Sequence, residues 1–291
     1  MMPINGGAVK FGFQLTAGDP QTIAGLSAVA ENAGWDAVFY WDGVALGEMD
    51  VYDPWVVMAA IAMRTDRLRF GAIVTPPSRR RPWKLAREAM TLDRLSGGRL
   101  ILPIGLGALD DRAFANVGEP TDTRVRAEKL DESLAILDGL WSGEPFGFEG
   151  RHYRFGPMTF RPTPVHRPRI PIWVVGVWPH RRSLERAFRW DGILPQTSDP
   201  ETIRSIVELA RHERAAAGRV GPWDVVVSDV SSDDEESLRR LTELADAGAT
   251  WWVESDWSDR PIDAIRSRIV EGPPPLTPGT LRAADAPVGG R

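Results

Sequence analysis

The strongest constraint on the fold is a regular alternation of short apolar runs with longer amphipathic segments. A short apolar run bounded by turn residues is typical of a strand buried on both faces, as in a parallel sheet. Eight such runs are predicted as strands: 9–15, 36–42, 68–75, 99–104, 170–175, 192–194, 224–230 and 250–254. Helical segments fill the intervals, and those after the first and second strands open on the Asp-Pro pairs at Asp19 and Asp53. The pattern predicts an α/β fold, a (β/α)8 TIM barrel.

The segment 91–107, TLDRLSGGRLILPIGLG, shows one repeat of this alternation most clearly. Gly97 and Gly98 suit a helix end, where one residue must turn left-handed. The apolar run that follows stops at Gly105 and Gly107. Glycines beyond a strand allow the backbone to approach a ligand closely, and barrels bind ligands at the C-terminal ends of their strands. The segment therefore predicts the rim of a ligand pocket.

The same alternation, and the two segments where it stops, predict the domain organisation. Residues 1–270 are predicted to form a single barrel domain. Residues 142–168 are rich in Gly, Pro and aromatic residues, which predicts a hairpin or excursion over the barrel mouth between strands 4 and 5. Residues 271–291 are rich in Pro and Gly and are predicted to be a mobile tail.

Composition excludes several classes of function. The absence of cysteine excludes disulfides, thiolate catalysis and Cys-ligated metals. A formal net charge of −5 argues against a nucleic-acid partner, which would need a basic face. The four histidines do not stand at metal-ligand spacing, so no metal site is predicted. Without an apolar leader or an 18-residue apolar run, we expect a cytoplasmic protein with no membrane segment.

Two candidate residues stand at the end of the second predicted strand, and a third follows the next strand. Asp42 is the best-placed carboxylate, either catalytic or a cap or ion-pair partner for its loop. Together with Asp110 and Glu254 it could also serve a carboxylate-dependent hydrolase. Trp41, together with Trp178 beyond the fifth predicted strand, would wall an apolar pocket for a substrate. Arg79, the first of three consecutive arginines, either grips an anionic substrate or is solvated.

The run GVWPHRR follows the fifth predicted strand and opens a helix. Backbone N–H groups near a helix start, beside basic side chains, can form an anion site. The run supplies six candidates for it: Gly176, Val177, Trp178, His180, Arg181 and Arg182.

Taken in order, these segments resemble the bacterial luciferase-like family of flavin-dependent oxidoreductases, which includes enzymes of the deazaflavin coenzyme F-420. The resemblance rests on AENAGWDAVFYWD, RTDRLRFGAIVTPP and AREAMTLDRLSGGRLILPIGLG. It continues through LDESLAILDGLWSGEPFGFEGRHYRF, RPTPVHRPRIPIWVVG and RAFRWDGILPQ, so that it covers roughly residues 9 to 196.

The resemblance implies an oxidoreductase, in some members a monooxygenase, that acts on a small organic substrate and forms a homodimer. The cofactor it implies is FMN, with coenzyme F-420 as the alternative. The ring would lie in the barrel mouth and its phosphate near the GVWPHRR run. Members often carry a non-proline cis peptide at the end of strand three, which matches Ala72-Ile73 here. The implied cofactor residues, besides the six of the GVWPHRR run, are Ala72, Ile73, Val74, Gly105, Leu106 and Gly107.

Three positions depart from the family pattern. Many members have Asp-His at the end of strand two, where this chain has Asp42-Gly43. Leu106 stands where luciferases carry an arginine, and Ala108 where some deazaflavin dehydrogenases carry an acid. These departures disfavour light emission and sugar-phosphate dehydrogenation. They also leave open a barrel that binds a flavin or an apolar ligand without turnover.

Overall fold

A computed structural model describes residues 8–232 and 234–275. Its strands are β1 Lys10–Gln14, β2 Ala37–Tyr40, β3 Arg69–Ala72, β4 Leu102–Ile104, β5 Phe146–Glu149, β6 Arg154–Met158, β7 Ile172–Gly176, β8 Gly192–Pro195, β9 Asp224–Asp229 and β10 Trp251–Glu254. Its α-helices are α1 Pro20–Asn32, α2 Pro54–Arg64, α3 Pro82–Leu95, α4 Thr123–Trp141, α5 Arg181–Ala187, α6 Pro200–Ala216, α7 Glu235–Ala247 and α8 Ile262–Glu271. Most of the predicted tail, 271–291, lies outside the described residues.

Eight strands form one parallel barrel in the order β3-β2-β1-β10-β9-β8-β7-β4. Its two end strands meet through isolated parallel bridges, Phe70 with Leu100 and Thr75 with Ile104. The predicted TIM barrel is thereby confirmed. The fourth strand is shorter than predicted, because Leu100 contributes only one bridge before the regular ladder begins at Leu102. None of the described helices is long and apolar enough to span a membrane.

The predicted excursion is the antiparallel hairpin β5–β6, but its predicted place over the barrel mouth is wrong. Trp83 of α3 packs edge to face against Tyr153 and Phe155, with ring centroids 6.3 Å and 5.7 Å away. On α4, the Glu132 carboxylate accepts the backbone N–H groups of residues 151 to 153. Tyr153 is therefore buried, and Phe155 partly buried, against the outer helices.

Aspartate residues cap the N-termini of five of the described helices. Asp19, Asp53, Asp122, Asp199 and Asp234 each accept a backbone N–H from the first turn of α1, α2, α4, α6 and α7, respectively. These bonds satisfy donors that the helix itself leaves free. The two Asp-Pro starts read from the sequence, at Asp19 and Asp53, are confirmed.

Large aromatic rings fill the interior of the barrel. Trp173 lies 5.6 Å from Phe39 and 5.2 Å from Trp251 between ring centroids, and all three are fully buried. Two strand glycines make room for them. A Cβ at Gly12 would lie 2.7 Å from the Phe39 ring, and one at Gly192 would lie 2.6 Å from Trp173. These rings fill the barrel below the C-terminal ends of its strands. A ligand can therefore bind only above the rings, at those strand ends.

We expect Gly192→Ala to lower the free energy of unfolding by about 1–3 kcal/mol, because the new methyl overpacks the interior. It would also meet the backbone oxygen of Asp224 at 2.8 Å, which cannot rotate away. Gly25→Ala is the matched control, since Gly25 is inside α1 with open space around it. That change should raise stability by about 0.5–1 kcal/mol. Urea unfolding of both variants measures the difference; equal effects would contradict the packing argument.

Candidate active site

A cavity of about 690 Å³ lies at the end of the barrel where the parallel strands terminate. Its volume falls within the range of roughly 300–1,000 Å³ that is usual for small-molecule sites. Residues at or just beyond the ends of all eight barrel strands line it. A TIM barrel places its binding and catalytic groups at this face.

The floor of the cavity is apolar and rests on the aromatic interior. Ile73, Val74 and Val175 line the cavity and pack against the interior cluster. Gly105 lies between two of these side chains. A Cβ on Gly105 would lie 2.8 Å from Val175 Cγ2 and 3.1 Å from Val74 Cγ2. Only a glycine leaves this surface smooth, and a smooth apolar floor suits a planar ring.

A non-proline cis peptide bond does occur at the end of β3, but it joins Ile73 to Val74. The sequence-based assignment to Ala72-Ile73 was therefore wrong by one residue. The Ile73 N–H still donates to the Tyr40 oxygen at 2.9 Å, so the parallel ladder extends through it before the chain departs. Ala72 is buried and does not line the cavity.

Asp42 belongs to a buried ion-pair cluster with Arg79 and Asp111. The Asp42 side chain is fully buried, and its carboxylate lies 2.7 Å from Arg79 Nη2 and 2.8 Å from Arg80 Nη2. Arg79 Nη1 donates to Asp111 Oδ2, and Arg79 Nη2 also donates to the Asp42 backbone oxygen at 2.6 Å. Arg79 thus joins the loops that follow β2, β3 and β4. This geometry favours the ion-pair interpretation of Asp42 over the catalytic one.

The electrostatics of Asp111 agree with a structural role. Burial alone raises the pKa of Asp111, but the Ala113 N–H, the Arg79 guanidinium and the Ala45 N–H more than offset it and hold the pKa below its usual value. The N–H groups of Val44 and Ala45 donate to its two oxygens at 3.2 Å and 3.1 Å. A carboxylate with this many donors stays ionised and is a poor proton carrier.

Phe114 connects the Asp42 cluster to the glycine rim of β4. The guanidinium carbons of Arg79 and Arg126 lie 5.5 Å and 5.1 Å from its ring centroid. Arg126 Nη1 donates to the backbone oxygens of Leu106 and Gly107, both at 3.0 Å. Arg126 therefore fixes the rim backbone, although sequence reasoning missed it. The available signal was its place four residues before buried Leu130, on the buried face of α4.

Gln14, at the end of β1, connects three strand ends beside the floor. Its side chain is buried and lines the cavity. The Ser255 hydroxyl donates to Gln14 Oε1 at 2.7 Å, and Gln14 Nε2 lies 3.5 Å from the Ile73 carbonyl oxygen. Gln14 thereby supports the backbone on which the floor is built.

Two further ion pairs involve cavity residues, one at the end of β9 and one on α5. Asp229 pairs with Arg240 at 2.5 Å and accepts from the Ser198 hydroxyl at 2.6 Å. Arg186 pairs with Asp131 through two bonds of 2.6 Å and 2.9 Å. Arg186 reaches the cavity from α5, in the helix layer, and no sequence pattern singled it out.

None of the six candidates in the GVWPHRR run lines the cavity, although the next residue, Ser183, does. The Ser183 hydroxyl accepts the Val177 N–H at 3.0 Å, so that backbone donor is already used. Arg181 pairs with Glu185 and Glu213. Arg182 is exposed and makes no ion pair with any acid in the described part of the chain. The phosphate role of this run stays a prediction.

The predicted site residues therefore divide into two groups. Those that line the cavity are Trp41, Asp42, Ile73, Val74, Arg79, Gly105, Leu106 and Gly107. Those that do not are Ala72, Gly176, Val177, Trp178, His180, Arg181 and Arg182. Trp178 is 40% exposed and does not wall the pocket as predicted. Trp257 lines the cavity instead, although nothing in the sequence pattern singled it out.

The three carboxylates of the hydrolase alternative do not converge. Glu254, the last residue of β10, is buried away from the cavity. Its carboxylate accepts the Ser231 N–H at 3.0 Å and lies 3.5 Å from Arg268. Neither Glu254 nor Asp110 lines the cavity. The described residues also contain no group of three or more His, Asp or Glu side chains that could hold a metal ion.

Comparison with known proteins decides the family. A family model described as luciferase-like monooxygenase matches residues 8–268. The chain belongs to the luciferase-like monooxygenase family. The resemblance read from the sequence over residues 9 to 196 is confirmed, and the match extends through the last described helices.

Two relatives show how similar this chain is in sequence to other members of the family. The chain is 32% identical over 201 residues to an uncharacterised protein of Mycobacterium tuberculosis, with 67% of each chain covered. It is 30% identical over 174 residues to the F-420-dependent glucose-6-phosphate dehydrogenase of Nakamurella multipartita. That match covers 57% of this chain and 50% of the dehydrogenase.

Solved structures share the fold at lower identity. A monooxygenase from Streptomyces bottropensis superposes with a TM-score of 0.78 at 21% identity, covering 89% of this chain and 96% of the other. The FMN complex of the oxygenating constituent of 3,6-diketocamphane monooxygenase from Pseudomonas putida gives 0.66 at 21% identity, covering 91% and 78%. Family members include enzymes of both FMN and coenzyme F-420.

Proposed function

We propose that this protein is a flavin- or deazaflavin-dependent oxidoreductase whose tricyclic ring lies on the floor of the cavity. The observation that carries the proposal is the smooth apolar surface made by Ile73, Val74 and Val175 around the side-chain-free Gly105. FMN and, as the alternative, coenzyme F-420 are both candidates, since one structural neighbour is solved with FMN and the dehydrogenase relative depends on F-420. When bound, such a ring supplies hydride transfer or, for a flavin, reaction with oxygen.

The protein's own residues would bind and orient rather than exchange protons. Gln14 and Arg126 fix the backbone of the floor and rim through hydrogen bonds to Ile73, Leu106 and Gly107. The Asp42 cluster holds the adjoining loops, so its carboxylates are engaged with arginines. The phosphate end of the cofactor would lie near Arg182, whose guanidinium has no acid partner in the described ranges.

Titration of the purified protein with each cofactor tests this proposal. We expect one of FMN and coenzyme F-420 to bind with a dissociation constant of about 1–10 µM, equivalent to about −7 to −8 kcal/mol. Quenching of tryptophan fluorescence and perturbation of the cofactor spectrum should give the same constant. If the cofactor is FMN, Arg182→Ala should weaken its binding but not the binding of free riboflavin, which is the same flavin without the phosphate. Binding of neither cofactor would refute the proposal.

The second candidate is a barrel that binds the ring without turnover. Gly43 in place of the family's histidine, together with the fully paired Asp42, favours it. This protein would bind a cofactor yet show no reduction of the bound ring by any donor. Anaerobic reduction assays on the cofactor complex separate the two candidates.

A further inference from the structure

Trp257 and Trp41 form an aromatic wall at the mouth of the cavity. Their ring centroids are 5.8 Å apart, with an interplanar angle of 65°. Trp41 is 3% exposed and is backed by Tyr40 at 5.4 Å. Trp257 lies in the loop between β10 and α8. It lines the cavity, yet its side chain is 51% exposed. A half-exposed indole beside a cavity offers a planar apolar surface that the chain itself does not cover.

The charged residues of the cavity are neutralised within the protein. Asp42 and Asp111 pair with Arg79 and Arg80. The other two pairs are Asp229 with Arg240 and Arg186 with Asp131. These clusters hold four carboxylates and four guanidiniums, so they carry no net charge. A charged substrate would have to compete for groups that already have partners, and it would lose hydration without a compensating charge.

Polar groups without such partners are neutral. Gln196, Thr197 and Ser228 line the cavity beside the paired charges. The Trp41 indole N–H is buried and has no acceptor within hydrogen-bond distance in the described part of the protein. A buried donor without a partner costs free energy. Trp41 lines the cavity, so a ligand oxygen that reached this N–H would remove that cost.

We infer that the substrate is an uncharged aromatic compound bearing a hydroxyl or carbonyl oxygen, stacked on Trp257 and excluded if it is phosphorylated. This inference rests on the proposed function, because it assigns the space above the ring floor to the substrate. The aromatic surface provides the binding energy, and the neutral lining provides the selectivity. Ala108, which lines the same cavity, adds no charge that could recognise a sugar phosphate.

Isothermal titration calorimetry of the protein, saturated with whichever cofactor it binds, tests the inference with three probes. These are 2-naphthol, its anionic analogue 2-naphthoate, and glucose 6-phosphate. We expect 2-naphthol to bind at least about tenfold more tightly than either anion. Tighter binding of 2-naphthoate or glucose 6-phosphate would overturn the inference.

Variants at the wall supply the second measurement. Trp257→Ala should weaken 2-naphthol by at least about tenfold, while Trp257→Phe retains most of the affinity. Because Trp257 is half exposed, the melting temperature should not change. Val270→Ala, at an exposed position of α8 outside the cavity, is the control. Unchanged 2-naphthol affinity in Trp257→Ala would refute the aromatic wall.

The same titrations separate this inference from the proposed function. If neither cofactor binds but 2-naphthol binds in a Trp257-dependent manner, the proposed function fails and the aromatic site stands. If a cofactor binds and 2-naphthol does not, the substrate class fails and the oxidoreductase proposal is untouched.

Discussion

Replacing Arg79 with methionine is expected to lower the free energy of unfolding by about 3–5 kcal/mol, because the change removes one partner of a buried ion-pair cluster. The Asp42 and Asp111 side chains are 0% and 5% exposed, so water cannot replace the guanidinium. Methionine keeps much of the volume, which limits the loss to charge and hydrogen bonds. Urea unfolding monitored by circular dichroism measures the change.

Arg124→Met is the matched control. Arg124 also pairs with a carboxylate, that of Glu128, but its side chain is 77% exposed. Exposed pairs contribute little, so this variant should unfold like the parent protein. A small effect at Arg79, similar to that at Arg124, would contradict the structural role of the cluster.

Asp42→Asn then distinguishes the two interpretations of Asp42. If its carboxylate carries protons, kcat falls while stability and cofactor affinity stay unchanged. If it holds the loops together, stability and cofactor affinity fall first, and kcat at saturating cofactor changes little. The bonds to Arg79 and Arg80 favour the second outcome.

Placing a methyl group on Gly105 is expected to weaken cofactor binding by at least about tenfold, equivalent to about 1.4 kcal/mol. In Gly105→Ala the new Cβ would meet Val175 at 2.8 Å and Val74 at 3.1 Å, so the Val175 side chain must shift and the Val74 side chain must give way slightly. The floor would lose its smooth surface at the position proposed for the ring. Fluorescence titration with the bound cofactor measures the effect.

Gly156→Ala is the control for this change, because Gly156 lies in β6 with open space around it. It should leave the cofactor affinity unaltered. A Gly105→Ala protein that keeps its affinity, with a melting temperature equal to that of the control, would place the ring elsewhere.

Local sequence signals were sufficient for the architecture. Apolar runs bounded by glycine and Asp-Pro pairs identify strand and helix independently of the rest of the chain, since burial on both faces and helix capping are local requirements. Gly97 and Gly98 do have positive φ angles, of 67° and 90°, at the end of α3. The strand ends named Trp41, Gly105 and Gly107, all of which line the cavity.

Segments whose position depends on distant partners were predicted less well. The hairpin β5–β6 was recognised but placed over the mouth. It packs against Trp83 through Tyr153 and Phe155, which are about 70 residues later in the sequence, and the hairpin's own residues do not specify that partner. Arg79 was predicted either to grip an anionic substrate or to be solvated; it lines the cavity, and it pairs with Asp42 and Asp111, which are 37 and 32 residues away in the sequence. Charge alone does not reveal whether a partner is a ligand or a folded neighbour.

By itself, then, the sequence determined the barrel, the face that carries the cavity and the family, because each depends on periodicity and turn residues along the chain. Tertiary structure decided which groups the residues of the cavity contact. Only the closed barrel brings Trp257 against Trp41, and only packing turns the charged residues of the rim into neutral pairs. Long-range contact and desolvation set those roles, and neither is encoded at any single position.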